Sequence, residues 1–160
     1  MSTRTLIRGG LVITAAEETQ ADVLIEDERI VALAAHGSDI AAGWQADRVL
    51  DATGKYVIPG GVDAHTHMEM PFGGTYASDT FETGTRAAAW GGTTTIVDFV
   101  VQSVGSSLRE GLDAWHAKAD GNCAVDYGFH MILADVNEGT LKEMDQLVQE
   151  GITSFKNHVG

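Results

Sequence analysis

The apolar positions of this chain change period near residue 59. Before that point they come in short alternating runs broken by glycine or charged residues: Thr5–Arg8 and Leu11–Thr14 around Gly9-Gly10, Asp22–Glu26 and Arg29–Leu33 around Asp27-Glu28, and Arg48–Asp51 and Tyr56–Ile58 around Ala52-Thr53-Gly54-Lys55. A period of two with turn residues between the runs predicts strands joined by hairpins or tight turns. Residues 34–47, rich in Ala with His36, Gly37 and Gly43, read as loop.

After Gly60-Gly61 the pattern turns to strand–helix alternation. Val62–His65 reads as a short strand. A capping box at Asp79-Thr80-Phe81-Glu82 opens a helix that ends at Gly91-Gly92, and Thr94–Val101 is a continuous apolar run typical of a parallel strand buried on both faces. Ser107-Leu108-Arg109-Glu110 is a second capping box, with Leu108, Leu112 and Trp115 at helical spacing behind it. Val125–Leu133 is the third strand. Thr140-Leu141-Lys142-Glu143 caps a third helix with Leu141, Met144, Leu147 and Val148 facing inward, and Ile152–Lys156 is the fourth strand. Three βα units and a further strand, about three and a half units, predict a parallel α/β fold, either doubly wound or barrel. The predicted division is a β domain over 1–58 and an α/β domain over 59–160.

Charge and composition narrow the function classes. A net charge of −13 speaks against nucleic acid, whose phosphates call for clustered Lys and Arg. No apolar run reaches the length of a membrane span. The start, Met1-Ser2-Thr3-Arg4, leads into an alternating segment and not a signal-peptide core, and the lone Cys123 excludes an internal disulfide framework. The expectation is a cytoplasmic protein, with Cys123 a small half-buried residue without a role.

The chemistry concentrates in Asp63-Ala64-His65-Thr66-His67. Residues i and i+2 of a strand share a face, so His65 and His67 can aim both imidazoles at one metal ion. Asp63 alternates onto the same face, where it can take part as a ligand or orient a ligand imidazole by a hydrogen bond. Glu69 and Met70 belong to the following loop, and Phe72 reads as an apolar wall. Asp98 and His130, on the second and third strands, read as satisfied core polar residues. Lys156, closing the fourth strand, stands out: a lysine on a buried strand pairs with an acid or loses its proton, and a neutral amine can take up carbon dioxide as a carbamate able to bridge two metal ions.

Four segments in this order, VIPGGVDAHTHMEMPFGGT (57–75), GGTTTIVDFV (91–100), DYGFH (126–130) and EGITSFK (150–156), resemble the D-hydantoinase/dihydropyrimidinase branch of the amidohydrolase superfamily. The resemblance covers almost the whole chain. It implies the N-terminal part of a (β/α)8 TIM barrel, preceded by strands of a small β-sandwich. It also implies two divalent ions, zinc or manganese, with His65 and His67 on the more buried one and Lys156 as the carboxylated bridge. The loop from Met68 to Tyr76, including Met70 and Phe72, corresponds to one lining the substrate pocket. The implied reaction is hydrolysis of a ring amide in dihydropyrimidines or 5-substituted hydantoins to N-carbamoyl amino acids, by a water that the metals activate, in a homo-oligomeric enzyme. Dihydroorotases carry an arginine where this chain has Glu69, which speaks against an acidic substrate; allantoinases differ in the Met70–Gly74 loop.

After Lys156 the chain reads Asn157-His158-Val159-Gly160, without the family's oxyanion-stabilising tyrosine. No catalytic residue of the family, neither that tyrosine nor the acid from a later strand, falls within this chain. The expectation is a truncated hydrolase inactive alone. The alternatives are a non-catalytic binding or assembly module on the same fold, and a mononuclear hydrolase built from associated half barrels.

Overall fold

The computed structural model describes residues 2–157. Their contacts divide the chain into two compact units, one up to Pro59 and one from Gly60 onward.

The first unit is one sheet with strand order β3-β2-β1-β4, to which β5 adds on β1. Strand β1 runs unbroken over Arg4–Ile13 and pairs antiparallel with β2 (Glu18–Glu26), which pairs with β3 (Arg29–Ala35). The hairpin expected at Gly9-Gly10 is therefore not there. Ile7 faces Val23 while Gly10 faces Ala21, so β1 carries one extra residue, a β-bulge. Gly9 adopts φ +72°, and its N–H donates to the buried Asp22 carboxylate at 2.7 Å. At Gly10 the Ala52 and Val57 side chains fill the place of a Cβ. Two glycines that read as a turn instead serve a bulge with close neighbours. The actual turn is Thr14–Glu17, where Thr14 Oγ1 accepts from the N–H groups of Ala16 and Glu17.

The turn at Asp27-Glu28 forms as expected, with Glu26 facing Arg29. The 34–47 stretch is partly a short helix, α1 (Asp39–Ala42), capped by Ser38. Strands β4 (Arg48–Asp51) and β5 (Tyr56–Val57) both lie parallel to β1, with the 52–55 turn between them. Val12, Ala21 and Val23 form the buried side, packed by Ile7, Ile25 and Val57. Ile30, Leu33, Val49 and Tyr56 are exposed. Among the described residues this unit is a single sheet.

The second unit is a four-stranded parallel sheet in the order β11-β10-β9-β6. Its strands are β6 (Gly61–Thr66), β9 (Thr93–Val101), β10 (Asp126–Leu133) and β11 (Phe155–Asn157). A small hairpin of β7 (Pro71–Phe72) and β8 (Thr75–Tyr76) follows β6, and helices α2 (Phe81–Trp90), α3 (Leu108–Ala119) and α4 (Glu138–Gln149) connect the sheet strands. Phe81, Ile96, Val100, Leu108, Leu112, Met131 and Leu147 form the core with other buried side chains. The fold is thus mixed α/β with a parallel sheet. Strand β11 begins at Phe155, later than the expected Ile152, and Ile152 instead turns into the core.

The helix starts follow local chemistry with two shifts. The box on α2 is Thr80 with Thr83, not Asp79 with Glu82, and Glu82 pairs with Arg86 at 3.2 Å. The Ser107–Glu110 box on α3 is present. On α4 the cap is Asn137, whose side chain accepts from the N–H groups of Gly139 and Thr140. Thr140 is buried and donates to the Asp135 carbonyl. That turns the inner face of α4 to Thr140, Met144 and Leu147, and leaves Leu141 and Val148 exposed. Cys123 is half-buried, as expected.

At the N-terminal end of the sheet the Tyr127 hydroxyl donates to Asp120. That bond, with burial and the nearby carboxylate charge, pushes the phenol up to about 12. The ordinary value is about 10, so the folded state favours the protonated phenol. This stabilisation is complete below about pH 10 and is lost as pH rises through the folded value. Spectrophotometric titration should show Tyr127 ionising near pH 12, and Asp120→Ala should return it toward pH 10. An unchanged midpoint in the variant would refute the assignment.

Candidate metal centre

The site is built on the C-terminal end of β6 and the residues just after it. His65 is on the strand and His67 directly beyond it. Their ring centroids are 5.1 Å apart, near perpendicular. Both rings pack on Phe99 of β9, at 4.6 and 5.1 Å between centroids. Lys156 of β11 places its Nζ 5.0 Å from the centroid of the same Phe99 ring. One aromatic ring on the inner side of the sheet thus gathers the three side chains that the sequence picks out on β6 and β11.

Asp98 holds this end of β6 from the opposite side. Adjacent strand residues point to opposite faces, so Phe99 faces the histidines while Asp98 turns toward the helices. The Asp98 carboxylate is fully buried and accepts from Thr66 Oγ1 at 2.9 Å, from the Met68 N–H at 2.7 Å and from Trp115 Nε1 at 3.0 Å. Two of these donors flank His67 in the chain. Burial pushes the Asp98 carboxyl up, and the three hydrogen bonds oppose it. The expectation that Asp98 is a satisfied core residue holds, and its partners fix the backbone on either side of His67.

Other local features turn the chain away from the strand. Glu69 adopts a left-handed φ of 51°, and its N–H donates to the Asp79 carbonyl at 2.9 Å. Met68 packs so closely on α2 that its sulfur occupies the position of a Gly84 Cβ. Gly73 and Gly74 both have positive φ, the conformation of a two-residue hairpin turn, and join β7 to β8. The hairpin helps form a cleft of about 410 Å³ lined by His67, Met70, Phe72, Thr75, Tyr76 and Ala77. The cleft therefore brings Met70 and Phe72 beside His67.

Two sequence readings need correction. Asp63 does not bond an imidazole: its Oδ1 accepts from the His65 backbone N–H at 3.1 Å, because β6 is irregular between Asp63 and Thr66. Lys156 is exposed, not buried, on β11, the edge strand of the described sheet. His158 lies outside the described residues. The role of Phe99 escaped the sequence reading, although alternation from Val97 to Val101 puts it on the face opposite Asp98.

Metal ligation can be tested against this geometry. A tetrahedral ion at the usual metal–nitrogen distance of about 2.0–2.1 Å would set two imidazole centroids roughly 5.2 Å apart, close to the 5.1 Å between His65 and His67. His67 Nδ1 is buried and has no hydrogen-bond partner. Burial, then the charge of His65, lowers the His67 pKa against the pull of Asp98, which favours the neutral ring that ligates. Among the described residues no three His, Cys, Asp or Glu side chains converge. The Lys156 amine also lies against Phe99, and it becomes an anionic oxygen donor only as a carbamate.

The amidohydrolase family model matches residues 56–159. The chain is 78% identical over 156 residues to D-hydantoinase of Streptomyces coelicolor, covering 98% of this chain and 33% of that protein. It is 46% identical over 156 residues to dihydropyrimidinase of Arabidopsis thaliana, covering 97% of this chain and 28% of that protein. Among solved structures, dihydropyrimidinase from Brevibacillus agri superimposes with a TM-score of 0.89 at 49% identity, over 96% of this chain and 32% of that one. The chain spans about a third of the length of the curated relatives it matches.

Replacing Asp98 with Ala would leave three buried or half-buried donors without an acceptor. At about 1–3 kcal/mol for each unsatisfied group, the expected loss is about 3 kcal/mol or more. Asp98→Asn keeps one acceptor oxygen and should lose less. Denaturant unfolding of both variants checks this order; an Ala variant as stable as wild type would overturn the assignment.

Proposed function

The chain belongs to the amidohydrolase family, and on that premise we propose that it acts as part of a cyclic amidohydrolase of the hydantoinase/dihydropyrimidinase type. The substrate is a 5-substituted hydantoin or a dihydropyrimidine, and water opens its ring amide to an N-carbamoyl amino acid. The observation that carries this reading is the gathering of His65, His67 and Lys156 around Phe99, beside the apolar cleft that His67 shares with Met70 and Phe72. In the same reading the second unit is the start of a (β/α)8 barrel, and the first contributes strands to a β-sandwich. A cytoplasmic, homo-oligomeric enzyme completes it.

His65 and His67 would hold one divalent ion, zinc or manganese, through neutral imidazoles. The Lys156 amine, after losing a proton, would attack carbon dioxide to form an N–C bond, and a second proton would leave, so that the side chain would offer anionic carbamate oxygens to the metal. When bound, the metals supply Lewis acidity and a nucleophilic hydroxide near neutral pH. The protein's own part is positional. Asp98 fixes the chain around His67, Phe99 excludes water beneath the ring pair, and Phe72, Tyr76 and Met70 offer apolar surface to the ring substituent.

The test uses the 78% identity with the Streptomyces coelicolor protein. A chimera in which this chain replaces the corresponding third of that enzyme should hydrolyse a 5-substituted hydantoin and lose activity on chelation. His65→Ala in the chimera should lower the rate at least about 10³-fold, the scale of several kcal/mol of metal assistance. The 160-residue chain alone should show no turnover. A folded chimera without activity, or one indifferent to chelator, would sink the reading.

A further inference from the structure

We propose that His130 is a positioning residue that sets the separation of β6 and β11, and so of His65 from Lys156. The proposal rests on reading those two side chains as ligands. In the order β11-β10-β9-β6, the strands bearing them share no hydrogen-bonded ladder, because two strands lie between. Only side chains can connect them across the inner face.

His130 on β10 makes that connection. Its Nε2 lies 3.0 Å from the carbonyl oxygen of Ala64, the residue before His65. Its Nδ1 is within hydrogen-bond reach of the Ser154 hydroxyl, two residues before Lys156. Between these ends the ring packs on Phe99, at 4.7 Å between centroids. Ser154 is held by its backbone as well, its carbonyl accepting from the Met131 N–H at 3.0 Å.

The two bonds fix the chemistry of the neutral ring. A carbonyl has no proton to give, so Nε2 carries the hydrogen and donates to Ala64. Nδ1 is then the acceptor, and the Ser154 hydroxyl donates to it. Both ring nitrogens are used, which leaves none for a metal and separates His130 from His65 and His67. Strands two apart in a flat sheet lie roughly 9–10 Å from one another. A side chain of β10 that reaches a β6 carbonyl therefore requires the inner face to be concave, and the His130 bond helps hold it so.

The experiment compares His130→Phe, which keeps an aromatic ring against Phe99 but neither hydrogen bond, with Ser154→Ala, which removes only the Lys156 side of the link. Both are made in the intact protein. Zinc affinity is measured by competition with a chelator, Lys156 carbamate by ¹³C NMR after labelled bicarbonate, and amide exchange on the metal-free protein. His130→Phe should weaken zinc binding about 10–100-fold, the usual effect of losing a group that orients ligands, and reduce the carbamate signal. It should also speed amide exchange at the ends of β6 and β11 together. Ser154→Ala should reduce the carbamate and speed exchange at β11, with β6 unchanged.

A uniform loss of stability would speed exchange everywhere and would not separate the two variants, so that pattern overturns the proposal. So does wild-type exchange and zinc affinity in His130→Phe. If the wild-type protein takes up neither zinc nor carbon dioxide, the ligand reading fails, while the metal-free exchange pattern still decides whether His130 ties the strands.

Discussion

The buried carboxylate of Asp98 is the constraint on which the second unit turns. A carboxylate out of water is costly unless its oxygens are saturated with donors. Here the donors come from three places: the hydroxyl of Thr66, the backbone of Met68 and the indole of Trp115. Meeting that requirement draws the end of β6, the start of the loop beyond it and helix α3 to one point. The backbone around His67 is placed as a consequence, since Thr66 and Met68 stand on either side of it.

Strand β9 divides its labour by face. Ile96, Asp98 and Val100 are buried toward the helices. Phe99, on the other face, supports His65, His67, His130 and Lys156. The apolar packing that stabilises the layer and the polar groups that can do chemistry are thus kept on opposite sides of one strand. Stiffness on the helix side limits how far the imidazoles can drift on the other, and a ligand pair needs that restraint to hold a common centre.

A second link sits where two loops leave the sheet. Gln102, also buried, donates to the carbonyls of Ser106 and Asp135 and accepts from the N–H groups of Ala134 and Asp135. All of its amide capacity is used to join the segments that follow β9 and β10. Together with Asp98, it holds the segments that leave the C-terminal ends of β6, β9 and β10, the end of the sheet where the candidate site lies.

The sequence by itself determined the change of period near residue 59, the order of the long strands and helices beyond it though not the β7–β8 hairpin, the Ser107 box, and the choice of His65, His67 and Lys156 as candidates. These are local or periodic properties, set by neighbours within a few positions. It misread Gly9-Gly10, because a bulge and a hairpin turn ask the same freedom of glycine and only the partner strand tells them apart. It misplaced the cap of α4 by three residues, and with it the inner face, because Asn137 and Thr140 are both good caps and the Asp135 carbonyl decided between them. Only the tertiary structure showed that Phe99 gathers the site, that His130 reaches both Ala64 and Ser154, and that Lys156 stands exposed at a sheet edge. Periodicity says which face a side chain takes; what it meets there comes from residues far away in the chain.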